Sequence, residues 1–137
     1  MKFIANKSSC ILFFVLECSG GFFMLIQKYS FGSMTVNGEK YKKDLKIIHG
    51  RVVPSWFRAS GHKVAVSDIT DILEAKPEVA VFGRGKPGMM KVLPETRQKL
   101  EAEGIAVEEM PSDRAVQRFN ELFKQGREVA AGFHLTC

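Results

Sequence analysis

The stretch EVAVFGRGKPGMMKVLPETRQKLEAE, Glu78 to Glu103, decides how the rest of the chain is read. Val79, Ala80, Val81 and Phe82 form an unbroken apolar run, the pattern of a strand covered on both faces. Gly83, Gly85 and Gly88 follow as a loop. Pro94 and Glu95 then open a helix, because proline fits a first helical turn, where its missing N–H has no partner to lose. Gly104 closes that helix, since glycine enters the left-handed conformation there without steric cost.

Downstream the pattern repeats. Ile105 to Met110 reads as a strand, and Pro111-Ser112 opens a helix in which Ala115, Val116, Phe119, Leu122 and Phe123 share a broad apolar face. Arg114, Gln117, Arg118, Glu121 and Lys124 look outward, and Gly126 ends the helix. The last run, Glu128 to Leu135, is expected to be a strand inside the sheet, with Ala130, Ala131 and Gly132 small enough to admit a close neighbour. Strand, helix, strand, helix, strand from residue 78 predicts an α/β layer with helices on a largely parallel sheet and right-handed crossovers.

Upstream the chain is short strands and tight turns. Met34 to Val36 and Lys40-Tyr41 flank Asn37-Gly38, a strong hairpin signal, and Leu45 to Ile48 and Arg51 to Val53 flank His49-Gly50. Pro54 ends the second pair because it has no N–H for a ladder. These hairpins must extend the parallel sheet or cover its other face. After the loop Ser55 to His62, Lys63 to Val66 alternates as a short strand. Ser67 is expected to cap a helix with Asp68 and Asp71 in its first turn, stopped at Lys76-Pro77.

Composition sets limits on function. The chain has 137 residues, 45% hydrophobic and 26% charged, which fits one soluble domain. Its net charge is +5, and Lys2, Lys7 and Glu17 are the only charges before residue 24. The basic residues alternate with acids and are not interleaved with stacking aromatics, so no nucleic-acid partner is expected. Cys10, Cys18 and Cys137 make no disulfide framework and fit a reducing, cytoplasmic setting. The apolar run Cys10 to Leu16 is too short for a membrane span and precedes no clean cleavage site, so no membrane partner is expected either. Residues 1–23 read as a leader or extension outside a single domain at 24–137, with export or membrane association as the alternative if they act as a signal.

Several strings resemble the adipogenesis-associated Mth-domain family: KYSFGSMTVNG, PSWFR, LEAKPEV, the GRG loop, PETRQKLEAEGI, AVQRFNEL and GREVAAGFHLTC. The resemblance runs from about Met24 to Cys137. Members of that family include small bacterial and archaeal proteins of unknown activity and a mitochondrial assembly factor for respiratory complex I. It implies a three-layer α/β domain with a mixed central sheet, one strand antiparallel to the rest, and a β-hairpin layer beside it. It implies no catalytic residue.

Gly83, Gly85 and Gly88 spell G-x-G-x-x-G after a strand, but a dinucleotide site needs the helix to begin at the loop. Here Met89 to Leu93 intervene and Pro87 interrupts, so no cofactor is expected. A weaker reading makes Gly83, Arg84, Gly85 and Lys86 anion-binding candidates: Arg84, Lys86 and Lys91 lie beside glycine-exposed backbone amides at the carboxyl end of a buried strand, where an anionic small molecule or a partner's acidic side chain could dock. The plainer alternative is a solvated turn whose glycines answer only to geometry. Trp56, Phe57, Arg58 and His62 are interaction-surface candidates, although a lone tryptophan is as often core. His49, His62 and His134 lack ligand spacing, so no metal is expected, and His134 between Phe133 and Leu135 reads as a hydrogen-bonded structural histidine. Two functions follow: a non-enzymatic interaction or assembly domain with a protein partner, or a small enzyme or sensor that binds an anionic small molecule at the glycine loop.

Overall fold

A computed structural model of the chain describes residues 25–137. The leader and its signal alternative lie outside the described residues. The order is β1 (Ile26–Ser30), β2 (Ser33–Val36), β3 (Glu39–Tyr41), β4 (Leu45–Ile48), β5 (Arg51–Val53) and β6 (Lys63–Val64). A 3-10 turn (Val66–Asp68), α1 (Thr70–Ala75), β7 (Val79–Gly83), β8 (Lys91–Val92), α2 (Pro94–Ala102), β9 (Ala106–Met110), α3 (Ser112–Lys124) and β10 (Val129–Phe133) complete it.

The central sheet runs β9-β7-β10-β4-β5. β7 is parallel to β9 and β10, while β4 is antiparallel to β10 and β5, so β4 alone opposes the other four. Every residue of β7 and β10 is buried, as an apolar run without alternation requires. Their side chains divide the core. Val79, Val81, Ala131 and Phe133 face Phe119 and Leu122 of α3 together with Ile26, Met34 and Val36 of the hairpin layer. Ala80, Phe82 and Ala130 face Ile72 of α1 and Leu100 of α2, with Trp56 and Met90. The chain leaves β7 for β9 through α2 on one face and returns over β7 to β10 through α3 on the other. Opposite directions on opposite faces give the two crossovers the same hand.

Both hairpin turns form with left-handed residue pairs, Asn37 and Gly38 at φ 52° and 84°, His49 and Gly50 at φ 53° and 73°. They go to different places. The first belongs to the separate sheet β1-β2-β3 that covers the core, and the second adds β4 and β5 to the central sheet. Elsewhere the strand expected at Lys63 to Val66 shrinks to two residues, which pair in parallel with β8. Ser67 does not cap a helix. The Asp68 carboxylate accepts the Ala65 N–H at 2.8 Å, so the chain closes first into a 3-10 turn, and α1 starts at Thr70 behind Ile69.

The reversal of β4 positions the site. Because β4 runs backwards, the residue that enters it, Asp44, lies at the same edge as the segments leaving β5, β7, β9 and β10. Open α/β sheets tend to place their sites at that edge.

Candidate functional site

A buried polar network occupies the edge. Asp44 Oδ2 accepts a hydrogen bond from Arg58 Nη2 at 2.6 Å and lies 2.8 Å from His134 Nδ1, while Oδ1 accepts the Leu135 N–H at 2.8 Å. The Arg58 and His134 side chains are only 4% and 8% exposed. Arg58 is fixed again by its Nε–H, which donates to the Gly61 carbonyl at 2.8 Å, and by the Trp56 ring, whose centroid is 4.5 Å away. Burial pushes the Asp44 carboxyl up, but the hydrogen bonds from His134, Arg58 and the Leu135 amide outweigh it and hold the group below its ordinary value. His134 is hydrogen-bonded through Nδ1, as its strand neighbours suggested.

Trp56 is core, which corrects its reading as an interaction surface. Its indole is 6% exposed, and its Nε1–H donates to the Asp68 carbonyl at 2.9 Å. The ring lies on β10 where Gly132 leaves room, since a Cβ there would sit 2.8 Å from Trp56 Cη2 and Cζ3. The close neighbour expected for the small residues of β10 is therefore this indole. Lys46 closes its other side, with Nζ 2.7 Å from the Asp71 carboxylate and 5.8 Å from the ring centroid. Arg58 is likewise interior. Of that group Phe57 and His62 are exposed, and the His62 ring meets His134 edge-on at 5.3 Å between centroids.

The glycine loop is stitched to the C-terminal tail. Gly85 N–H donates to Ser112 Oγ at 2.9 Å, and the Ser112 hydroxyl donates to the His134 carbonyl at 2.6 Å. Lys86 N–H and Met89 N–H donate to the Thr136 and Cys137 carbonyls, each at 2.9 Å, and Arg84 N–H donates to Met110 at 2.9 Å. The amides assigned to an anion are thus donated within the chain, so their use as a phosphate-type cradle is not available in this structure. The glycines answer to crowding. At Gly85, with φ 95°, a Cβ would collide with the Thr136 carbonyl and come within 2.7 Å of His134 Cδ2. Arg84 donates its Nε–H to the Met90 carbonyl at 2.8 Å, and Lys86, exposed, reaches Asp113 only at 4.0 Å. No helix begins here, since α2 starts at Pro94.

The fold brings the two candidate groups together through the tail and the β6–β8 ladder. Lys91 N–H donates to the His62 carbonyl at 2.9 Å. On the other side the Leu135 carbonyl accepts both the Gly32 N–H at 2.8 Å and the Tyr29 hydroxyl at 2.9 Å. Three large apolar side chains on these segments stay exposed: Phe57 at 77%, Phe31 at 62% and Met89 at 52%. Sequence reasoning missed Asp44 and Ser112, the residues that tie the edge together. Asp44 had a faint signal, as the one acid in the lysine-rich KYKKDLK at the mouth of a strand.

Clefts are also found away from this edge. A groove of about 370 Å³ beside α3 is lined by Glu108, Met110, Arg114, Gln117, Arg118 and Glu121. There the Arg118 fork binds Glu108 at 2.8 and 3.0 Å and holds that carboxyl below its usual value, a surface ion pair without a reacting group. No helix among the described residues is long and apolar enough to cross a membrane, and none of their His, Cys, Asp and Glu side chains form a group of three placed to hold a metal ion.

The fold has solved counterparts. It is similar to MT938, with a TM-score of 0.70 and 27% identity over 82% of this chain and 98% of that one. A conserved hypothetical protein, PH1505 from Pyrococcus horikoshii OT3, matches with the same TM-score and coverage at 25% identity. A Bordetella pertussis protein described as a Mth938-like domain shares the fold at TM-score 0.70 and 19% identity, over 90% of this chain and 92% of that one. Residues 26–134 match the model of a family described as a protein of unknown function, DUF498/DUF598. The chain belongs to that family.

Proposed function

We propose that this is a non-enzymatic interaction domain, of the kind an assembly factor uses, and that its contact face is the edge framed by Phe57, Met89 and Phe31. The observation that carries this reading is their exposure on three segments that converge on the C-terminal tail. Solvated aromatic and thioether side chains over a hydrogen-bonded base are the composition of an interface anchor. Catalysis has little support at this edge. Of the groups able to move a proton, Asp44 and His134 are bound to each other and to Arg58, and the His134 imidazole is closed to solvent, which leaves the exposed His62 ring beside it. The resemblance to a complex I assembly factor supports the same reading as an analogy, and the single thiol of the domain fits a cytoplasmic setting.

A second reading, an anionic metabolite held at the glycine loop, keeps one supporting observation. Lys86 is exposed and only loosely paired. A thermal-shift screen of the full chain against phosphorylated metabolites, nucleotides and carboxylates separates the two, because a ligand that binds the native state must raise Tm by mass action. No shift at millimolar ligand is expected. A shift lost in the Arg84→Ala, Lys86→Ala variant would replace the interaction reading with the metabolite one.

A further inference from the structure

We infer that the partner of this edge presents an acidic segment carrying apolar anchors. The inference rests on the interaction reading and adds the partner's chemistry to it. β6 and β8 run parallel in register, with Lys63 beside Lys91 and Val64 beside Val92. Both valines are buried, so both lysines point to solvent, and both are exposed. Like charges on neighbouring strands repel, and among the described residues no carboxylate pairs with either ammonium. Such a pair costs stability in the free domain and becomes favourable when an acidic group lies across it.

The lysines are not isolated from the apolar anchors. Lys91 follows Met89 by two residues, and its N–H is bound to the His62 carbonyl of the loop that carries Phe57. On the other flank Lys43 Nζ lies 6.0 Å from the Phe57 ring centroid, and Lys42 beside it is exposed as well. Several acids nearby are already engaged. Asp44 holds Arg58 and His134, Asp68 accepts the Ala65 N–H, Asp71 holds Lys46, and Glu109 binds Arg97 Nη2 at 2.6 Å and the Val92 N–H at 3.2 Å. The segments that carry the exposed Phe57 and Met89 thus also carry the exposed ammonium groups of Lys63 and Lys91, with Lys43 beside Phe57. Their complement is a segment with aromatic or aliphatic side chains between aspartates and glutamates.

The test is selection of a random peptide display library on the immobilised full-length chain, followed by fluorescence anisotropy of an enriched peptide. Enriched sequences should carry net negative charge with aromatic or aliphatic residues. Their affinity should fall about tenfold in Lys63→Glu, Lys91→Glu and fall with salt, while Lys124→Glu, at the far end of α3, should leave it unchanged. A Lys63→Ala, Lys91→Ala variant, which relieves the repulsion without adding charge, should also weaken binding and keeps the test valid if the reversed chain folds poorly. Neutral or basic winners, or an empty selection, overturn the inference. So does preferential, lysine-dependent binding to phosphatidylcholine vesicles with about one-third phosphatidylserine, which would make the face a lipid-binding surface. If Phe57→Ser abolishes binding and the lysine changes do not, the acidic partner falls while the contact face stands. If Phe57→Ser also has no effect, the interaction reading itself falls.

Discussion

The two loops that meet at this edge, residues 54–62 and 83–90, use their conspicuous residues in opposite ways. In the first, adjacent aromatics part company: Trp56 is 6% exposed and Phe57 77%. In the second, neighbouring glycines do. Gly85 is needed because the tail passes where a side chain would be, whereas a Cβ at Gly88 would meet only Arg84 Cβ, at 3.9 Å. Special residues in these loops therefore mark close approach of the chain to itself, and the residues left exposed are the ordinary ones beside them.

The largest test of that contrast is between the aromatics. Trp56→Ala should cost about 4 kcal/mol in urea denaturation, from lost burial and a cavity over Gly132, while Phe57→Ser should change stability by less than about 0.5 kcal/mol. Equal losses would erase the distinction. Within the glycine loop, Gly85→Ala should cost about 3 kcal/mol through collision with the tail and a strained φ, against about 1 kcal/mol for Gly88→Ala, whose φ of 120° is the remaining penalty. A comparable cost at both positions would mean that backbone conformation, not the tail, sets the requirement.

The network beneath the loops gives the next test. Asp44→Ala leaves Arg58 buried without its carboxylate and should cost about 3 kcal/mol. Acid should act through the same group. The folded Asp44 carboxyl is held below the ordinary 3.8, so the unfolded chain takes up the proton first. Its contribution is complete above that ordinary value and is lost as pH falls through the lowered folded one. As pH falls below about 4 the Tm of the wild type should therefore drop more steeply than that of Asp44→Asn. Parallel slopes would show that other carboxylates dominate acid unfolding.

How much of this could be read from the chain follows the range of the interactions. The turns at Asn37-Gly38 and His49-Gly50, the buried run Val79 to Phe82 and the apolar face of α3 are local patterns, and each forms where expected. β8 is two residues long and exists because Lys91 N–H finds the His62 carbonyl, so nothing in its own sequence announces it. Asp44 and His134 are 90 positions apart, and only the topology, with β4 reversed beside β10, makes them neighbours. For the same reason the glycine loop could be located but not interpreted. Its amides are taken by residues 110, 112, 136 and 137, whose arrival at that edge is a property of the whole sheet.

The central claim is that the partner-facing group at this edge is Phe57 and not the charged residues beneath it. A photo-crosslinking residue placed at position 57 of the full chain, in cells that express it, tests this most directly, with position 117 on the outer face of α3 as control. A discrete crosslinked product from position 57, absent at 117 and lost when Met89→Ser is added, is the predicted result. The same products from both positions, or none from 57, would contradict it.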